Sequence, residues 1–362
     1  MSLYKKFNDV QHYYKGITVD PISNPDQSWE FIKQYFKLGG KTEVFNLNFA
    51  SELKKGGKHI HTVSMYYIGC LLRKMVETKL ANVMNTFLPE RKSDIQYKFE
   101  YTWFLTCLYH DTAHVIEETK HVGNNVVNPS FHFKEMIEKN KIKHNVYNHK
   151  CPELALQVPI YKEELVQNYY YYCLTYRKKI EHGIVGGFLL FDKLKKNYNK
   201  KWIQFKKQKE LLDDEQKGHF EIDGLTWRKQ HLDHFAYISH SIIEHNIWYD
   251  KDEELYKKFG LQDLVETNNR ITNKGNPLLF FLAIVDTIEP TKFFNNLPPL
   301  WVWNNIDMYY DTENNCIEIS VLHDILNLKE WISKINSLES WLSVNVVSSS
   351  DNRNVIINIL EE

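Results

Sequence analysis

The stretch YTWFLTCLYHDTAHVIEE, residues 101–118, decides the reading of this chain. Its first nine residues are apolar or aromatic on nearly every side, which predicts a helix buried inside a bundle rather than one lying on a surface. Three polar residues then interrupt it: His110, Asp111 and His114. Neighbouring residues on a helix project about 100° apart, so His110 and Asp111 can flank one ion from the same side. His114 lies one turn beyond His110 and shares its face.

Other segments repeat the pattern. HTVSMYYIGCLLRKMVETKL (61–80) returns apolar residues to one face at Val63, Tyr66, Tyr67, Cys70 and Leu71. EELVQNYYYYCLTYRKKIEHGIVGGFLLFDKLKK (163–196), HLDHFAYISHSIIEHNIW (231–248) and PLLFFLAIVDTIEP (277–290) behave alike. Each carries an acid or imidazole in an apolar setting: His61, His182, His240, His245 and Asp286. Burying one such group costs kilocalories unless it is paired. Burying several predicts that they satisfy one another, most economically around a cation. Imidazole and carboxylate together suit a divalent ion such as Fe, Mn, Co, Ni or Zn.

The expected fold class is mainly α, a helical core with a small C-terminal α+β appendage. Residues 1–58 read as an N-terminal extension containing one helical stretch, SWEFIKQYFKL, stopped by Gly39-Gly40. Residues 59–295 read as the helical metal-binding domain. Within it, 193–217 carries nine lysines against four acids and reads as a solvated, partly helical insertion. FFNNLPPLW (293–301) reads as a linker, and 300–362 as the α+β module. There NNIDMYYDTENNCIEISVL predicts a hairpin turning at Asn314-Asn315. SLESWL and the residues before it predict a helix, and SVNVVSS and NVIINIL two more strands.

Composition excludes several classes. The 362 residues are 43% hydrophobic and 25% charged with 14 Gly and 10 Pro, which excludes a disordered or collagenous chain. The net charge of −1 gives no global field to attract nucleic acid or an acidic membrane, and nucleic acid is not an expected partner. The longest apolar run, PLLFFLAIV (277–285), is far short of the roughly 20 residues of a membrane span. Five cysteines with no CxxC pair argue against a disulfide framework or a cysteine zinc site. A soluble, cytoplasmic protein is expected, with no membrane partner.

The ordered set resembles the HD-domain superfamily of metal-dependent phosphohydrolases, whose order is His, His-Asp, then Asp on separate helices. The words FLTCLYHDTAH (104–114), EHGIVGGFLLFDKL (181–194), and IIEHNIW (242–248) followed by LLFFLAIVDTIEPTK (278–292) are similar to that family's. The chain lacks the glycine before His114 that the superfamily's triphosphohydrolases carry, and the Gly-Tyr-Pro of its cyclic-di-GMP phosphodiesterases.

The resemblance implies one or two divalent ions (Fe, Mn, Co, Ni, Zn or Mg). It implies a first ion on His61, His110, Asp111 and Asp286, and a second on His182 and His245 with Asp111 bridging. His240 competes with His245, but the two lie about 140° apart on a helix, which leaves His240 as an outer or substrate-binding group. The chemistry implied is attack of a metal-activated water on a nucleotide-like phosphomonoester or phosphodiester. His114 or Glu181 would move a proton, and Lys292 and Lys179 would bind phosphate. The alternative is an inactive HD-type nucleotide-binding or regulatory module. His12, His132, His144, His149, His219 and His323 fall outside the pattern and are expected at the surface.

Overall fold

Apolar helices with no solvated face can fold only by enclosing one another, and that is the architecture of the computed structural model. The structure describes residues 1–6, 20–23, 25–37, 59–87, 95–111, 113, 128–149, 158–208, 220–222, 225–227, 230–247, 253–264, 270–323, 325 and 327–360.

The helices are α1 (Pro25–Lys37), α2 (His59–Leu72), α3 (Glu77–Phe87), α4 (Ile95–His110), α5 (Pro129–Lys139), α6 (Glu163–Thr175), α7 (His182–Gln208), α8 (Gln230–Glu244), α9 (Glu253–Lys258) and α10 (Pro277–Ile288). A short ribbon, β1 (Phe220–Ile222) with β2 (Leu225–Trp227), joins α7 to α8. Every residue of α10 is buried. It starts at a proline in the first turn, where Asn276 accepts from Leu279 N–H and caps the exposed amides.

The long α7 and α8 pack antiparallel and closely, because two glycines remove the side chains between them. A Cβ on Gly183 would stand 2.7 Å from His245, and one on Gly187 would stand 2.6 Å from the Ser239 carbonyl oxygen. The HGIVGG run is therefore a packing surface that brings the start of α7 to the end of α8. The basic segment 193–208 proves to be the continuation of α7 rather than an insertion. A buried stripe at Leu194, Tyr198 and Lys201 persists beneath its lysines. Residues 209–217 lie outside the described residues.

At the C-terminus, α11 (Pro299–Asn305) leads into β3 (Ile306–Asp311), β4 (Cys316–Val321), α12 (Leu328–Asn336), β5 (Val344–Ser348) and β6 (Asn354–Ile359). The strands form one antiparallel sheet in the order β3-β4-β6-β5. The hairpin turn ends at Asn315, whose φ of 51° is the left-handed conformation that Asn tolerates. Ile317, Ile319 and Val321 alternate inward with Val355, Ile357 and Ile359, and α12 contributes Trp331, Ile332 and Ile335 to the interior.

This sheet shares one hydrophobic core with the helices. Backbone bonds at Ile271 hold Trp341 and Ser343, and the Met1 ammonium and Lys6 pair with Asp307. Part of the expected N-terminal extension is core as well. Leu3 is fully buried, and the Phe31 ring meets Tyr66, Tyr67 and Phe104. No helix among the described residues is long and apolar enough to cross a membrane.

Candidate metal centre

The six residues expected as ligands come together. His61 stands near the start of α2, His110 ends α4 and Asp111 follows it, His182 opens α7, His245 follows the last turn of α8, and Asp286 lies in the last turn of α10. His61, His110 and Asp111 form one group able to hold a metal ion; Asp111, His182 and His245 form a second. Asp111 belongs to both, as a bridging carboxylate would.

The separations fit coordination. Two nitrogens each about 2.1 Å from one ion, at right to tetrahedral angles, lie about 3.0–3.4 Å apart. His61 Nε2 is 3.2 Å from His110 Nε2, 3.2 Å from Asp286 Oδ1 and 3.5 Å from Asp111 Oδ2. His182 Nε2 is 3.2 Å from Asp111 Oδ1.

Three imidazoles have the other nitrogen tied off. His61 Nδ1 meets Glu289 Oε2 at 2.7 Å, His110 Nδ1 meets the Cys107 carbonyl at 2.8 Å, and His245 Nδ1 meets the Ile242 carbonyl at 2.6 Å. A proton held at Nδ1 leaves Nε2 as the free ligand atom. The buried His245 Nε2 has no hydrogen-bond partner among the described residues and belongs to the group with Asp111 and His182 that could hold an ion.

Charge differs from ring to ring. Burial alone would lower His61, but hydrogen bonds to Asp286 and Glu289 outweigh it and raise the imidazole to about 9, so without an ion the ring holds a proton on Nε2 that a bound cation would displace. Burial would raise the Asp286 and Glu289 carboxyls. Lys292, His110 and His61 instead hold Asp286 well below its ordinary value, and His61 and Ser64 hold Glu289 down. Burial, with His110 and His182 nearby, pushes His245 down to about 3, so it stays neutral and able to ligate.

The remaining expected residues have different places. Lys292 Nζ sits 2.9 and 3.1 Å from the two Asp286 oxygens. Lys179 is half-buried in the turn before α7. Glu181 is buried; it accepts from Gly183 N–H at 3.2 Å and from the Asn246 amide at 3.0 Å, and lies 3.7 Å from His182 Nδ1. It therefore orients the first turn of α7 and the His182 ring. His114 lies outside the described residues.

His240 does not join the cluster. Its ring packs edge-on against Tyr147 with centroids 4.7 Å apart, and burial together with His149 lowers it to about 3. Being 1% exposed, it is walled off from any substrate approaching through solvent. His132, expected at the surface, is buried and stacks on Tyr171, because α5 presses this face against α6. His12 and His219 lie outside the described residues.

Several site residues escaped the sequence reading. Glu289 is fully buried: it accepts from Ser64 Oγ at 2.5 Å and from Thr291 N–H at 2.8 Å while holding His61. Trp303 Nε1 donates to Ser64 Oγ at 3.0 Å, which extends the chain of bonds into α11. Asn246 lies 2.9 Å from His182 Nε2. The Glu-Pro that follows Asp286 was the available signal for Glu289. Ser64 sits three residues beyond His61 on the same helical face, a spacing that could have suggested it.

Fold and site together define a mainly helical protein with buried His/Asp groups able to hold metal. No family model matches the chain, and neither a curated protein nor a solved structure matches it.

Proposed function

We propose that this chain is an HD-type metal-dependent phosphohydrolase acting on a nucleotide-like phosphomonoester or phosphodiester. One observation carries the reading: two ligand groups share Asp111, and three of the four imidazoles around it have their second nitrogens already committed. That is the protein's part of a two-ion phosphoryl-transfer site. When bound, divalent ions supply Lewis acidity, which acidifies water and offsets charge on phosphoryl oxygens.

The chain's own residues prepare the rest. Glu289 fixes the ring of His61, and the Cys107 and Ile242 carbonyls fix those of His110 and His245; at His182 the Glu181 carboxylate lies 3.7 Å from Nδ1, and the Asn246 amide sits 2.9 Å from the Nε2 that an ion would take. Lys292 holds an ammonium at the Asp286 edge, where a phosphoryl group would arrive. In the hydrolysis, a water oxygen bonds to phosphorus and the bond from phosphorus to the leaving oxygen breaks. One water proton goes to the leaving oxygen. His114 remains the residue assigned to deliver it, and Glu181 is assigned to positioning.

A second reading has one observation in its favour. Lys292 engages both oxygens of Asp286, a contact that suits a closed regulatory site with a single ion on Asp111, His182 and His245.

The test is elemental analysis of the purified chain together with a phosphoester screen in Mn²⁺, Fe²⁺ or Co²⁺. About two ions per chain and turnover are expected. Asp111→Ala should leave fewer than one ion per chain and lower activity at least a hundredfold, since even an outer-shell change costs about 10–100-fold in metal affinity or activity. Full metal content and activity in Asp111→Ala would refute the proposal. One ion with nucleotide binding and no turnover would favour the regulatory reading.

A further inference from the structure

The two histidines of the second ligand group differ in what already faces their nitrogens. His245 Nε2 has no hydrogen-bond partner among the described residues, whereas His182 Nε2 has an amide against it. Asn246 Nδ2 stands 2.9 Å from that nitrogen, nearer than Asp111 Oδ1 at 3.2 Å.

The amide is held there from both ends. Its backbone lies in the turn that closes α8, where the Ile247 N–H donates to the Glu244 carbonyl at 3.0 Å. The Tyr169 hydroxyl of α6 donates to the Asn246 carbonyl at 2.8 Å. Arg177, in the turn between α6 and α7, donates to the same hydroxyl at 3.4 Å. Its guanidinium lies over the rings of Tyr172 and Tyr169, 5.2 and 6.0 Å from their centroids, and stacking of this kind fixes its direction. At the side-chain end, Asn246 Nδ2 donates to Glu181 Oε1 at 3.0 Å, and that oxygen also accepts from Gly183 N–H at 3.2 Å.

Glu181 decides which way round the amide sits. An ionised carboxylate only accepts, so it draws the NH₂ of Asn246 to this side and turns the side-chain carbonyl away. One hydrogen of that NH₂ serves Glu181 and the other points at His182. Glu181 also lies 3.7 Å from His182 Nδ1, which favours a ring proton there and a lone pair at Nε2. A lone pair that accepts from Asn246 is the one a divalent ion would need.

We propose that Asn246 is a latch on the second ion site: its N–H occupies the His182 lone pair and competes for it with a divalent cation. The latch rests on the two-ion reading of the centre and makes no use of hydrolysis. Asn246 acts through His182, so it is a positioning residue. The second group then holds its ion less tightly than its ligands alone would, and its occupancy follows the free concentration of the ion.

The experiment is calorimetric titration of the metal-stripped full chain with Mn²⁺, on the parent and on His245→Ala, Asn246→Ala and Asn246→Asp. His245→Ala identifies the binding step that belongs to the second group. In Asn246→Ala that step should tighten about three- to tenfold, the worth of one net hydrogen bond, with the other step within about twofold of the parent. Asn246→Asp, which sets a carboxylate oxygen where the donor stood, should tighten it further. A merely structural Asn246 would move the step the other way, because a loosened His182 ligates less well. An unchanged or weakened step in a folded Asn246→Ala overturns the latch.

Binding is read without turnover, so the two proposals fail separately. A chain whose second step tightens but which hydrolyses no phosphoester keeps the latch and loses the hydrolase. A chain that hydrolyses phosphoesters while Asn246→Ala leaves the step unchanged keeps the hydrolase and loses the latch. If His245→Ala removes no step, the second ion and its latch fall together.

Discussion

The helix pair α7 and α8 carries two histidine-rich regions, and they behave differently. Where the start of α7 meets the end of α8, His182 and His245 converge on Asp111 and His110, and nitrogens are left facing one another. Farther along the same pair, residues 143–149 cross both helices. There His144 binds Asp192 at 2.9 Å, His149 binds Asp233 at 2.7 Å, and Tyr147 packs on His240. His240 and His245 are equally buried, and both are lowered to about 3. Burial and titration therefore do not separate a ligand histidine from a structural one. Company does: carboxylates and imidazoles shared among several rings in one region; in the other, a private carboxylate for His144 and for His149 and only the Tyr147 ring against His240.

The comparison can be broken or sharpened by substitution. The largest effect after loss of Asp111 is expected from Glu289→Gln. It keeps the shape but removes the charge that sets the His61 ring. Metal affinity measured by competition with a chelator should fall about 10–100-fold. An unchanged affinity would place Glu289 among the merely structural carboxylates.

Asp192→Asn should instead cost stability and leave metal content untouched. Burial would raise the Asp192 carboxyl, but Lys196, His144 and the Lys143 amide hold it below its ordinary value. A depressed carboxyl stabilises the fold above its unfolded pKa, and that contribution is lost as pH falls through the folded value. The variant should therefore be about 1–3 kcal/mol less stable in denaturant melts near pH 7, with the gap closing in acid below about pH 4. A gap that widens in acid would contradict the assigned contacts.

The smallest effect is expected from His240→Leu, with metal content and kcat/KM within about twofold of the parent, a change below about 0.5 kcal/mol. Loss of metal in a folded His240→Leu would erase the distinction between the two regions.

Much of this was legible in the sequence, for a physical reason. A polar group inside an all-apolar helix has nowhere to go except to a partner, so His61, His110, Asp111, His182, His245 and Asp286 announced themselves. The C-terminal strands were equally visible, since alternation around Asn314-Asn315 is a local signal. What stayed hidden depends on packing between distant segments. α12 reads as a short amphipathic surface helix, and only the meeting of Trp331 with Phe294 shows that it packs beside the segment following α10. Arg177 gains its direction from tyrosines on the preceding helix. The second half of α7 was misread because composition turned basic while the buried stripe of Leu194, Tyr198 and Lys201 continued unbroken.

The bond from Trp303 to Ser64 carries a practical consequence. Ser64 also holds Glu289, and Glu289 holds His61, so the indole of α11 is three links from a ligand. A trimmed chain ending ahead of α11 would remove the outermost of those links. It would leave Ser64 and Glu289 facing water where an aromatic lid had been. Biochemistry on the helical body alone would then measure a different centre, and the stretch that looks most dispensable in the sequence belongs in every preparation meant to assay the site.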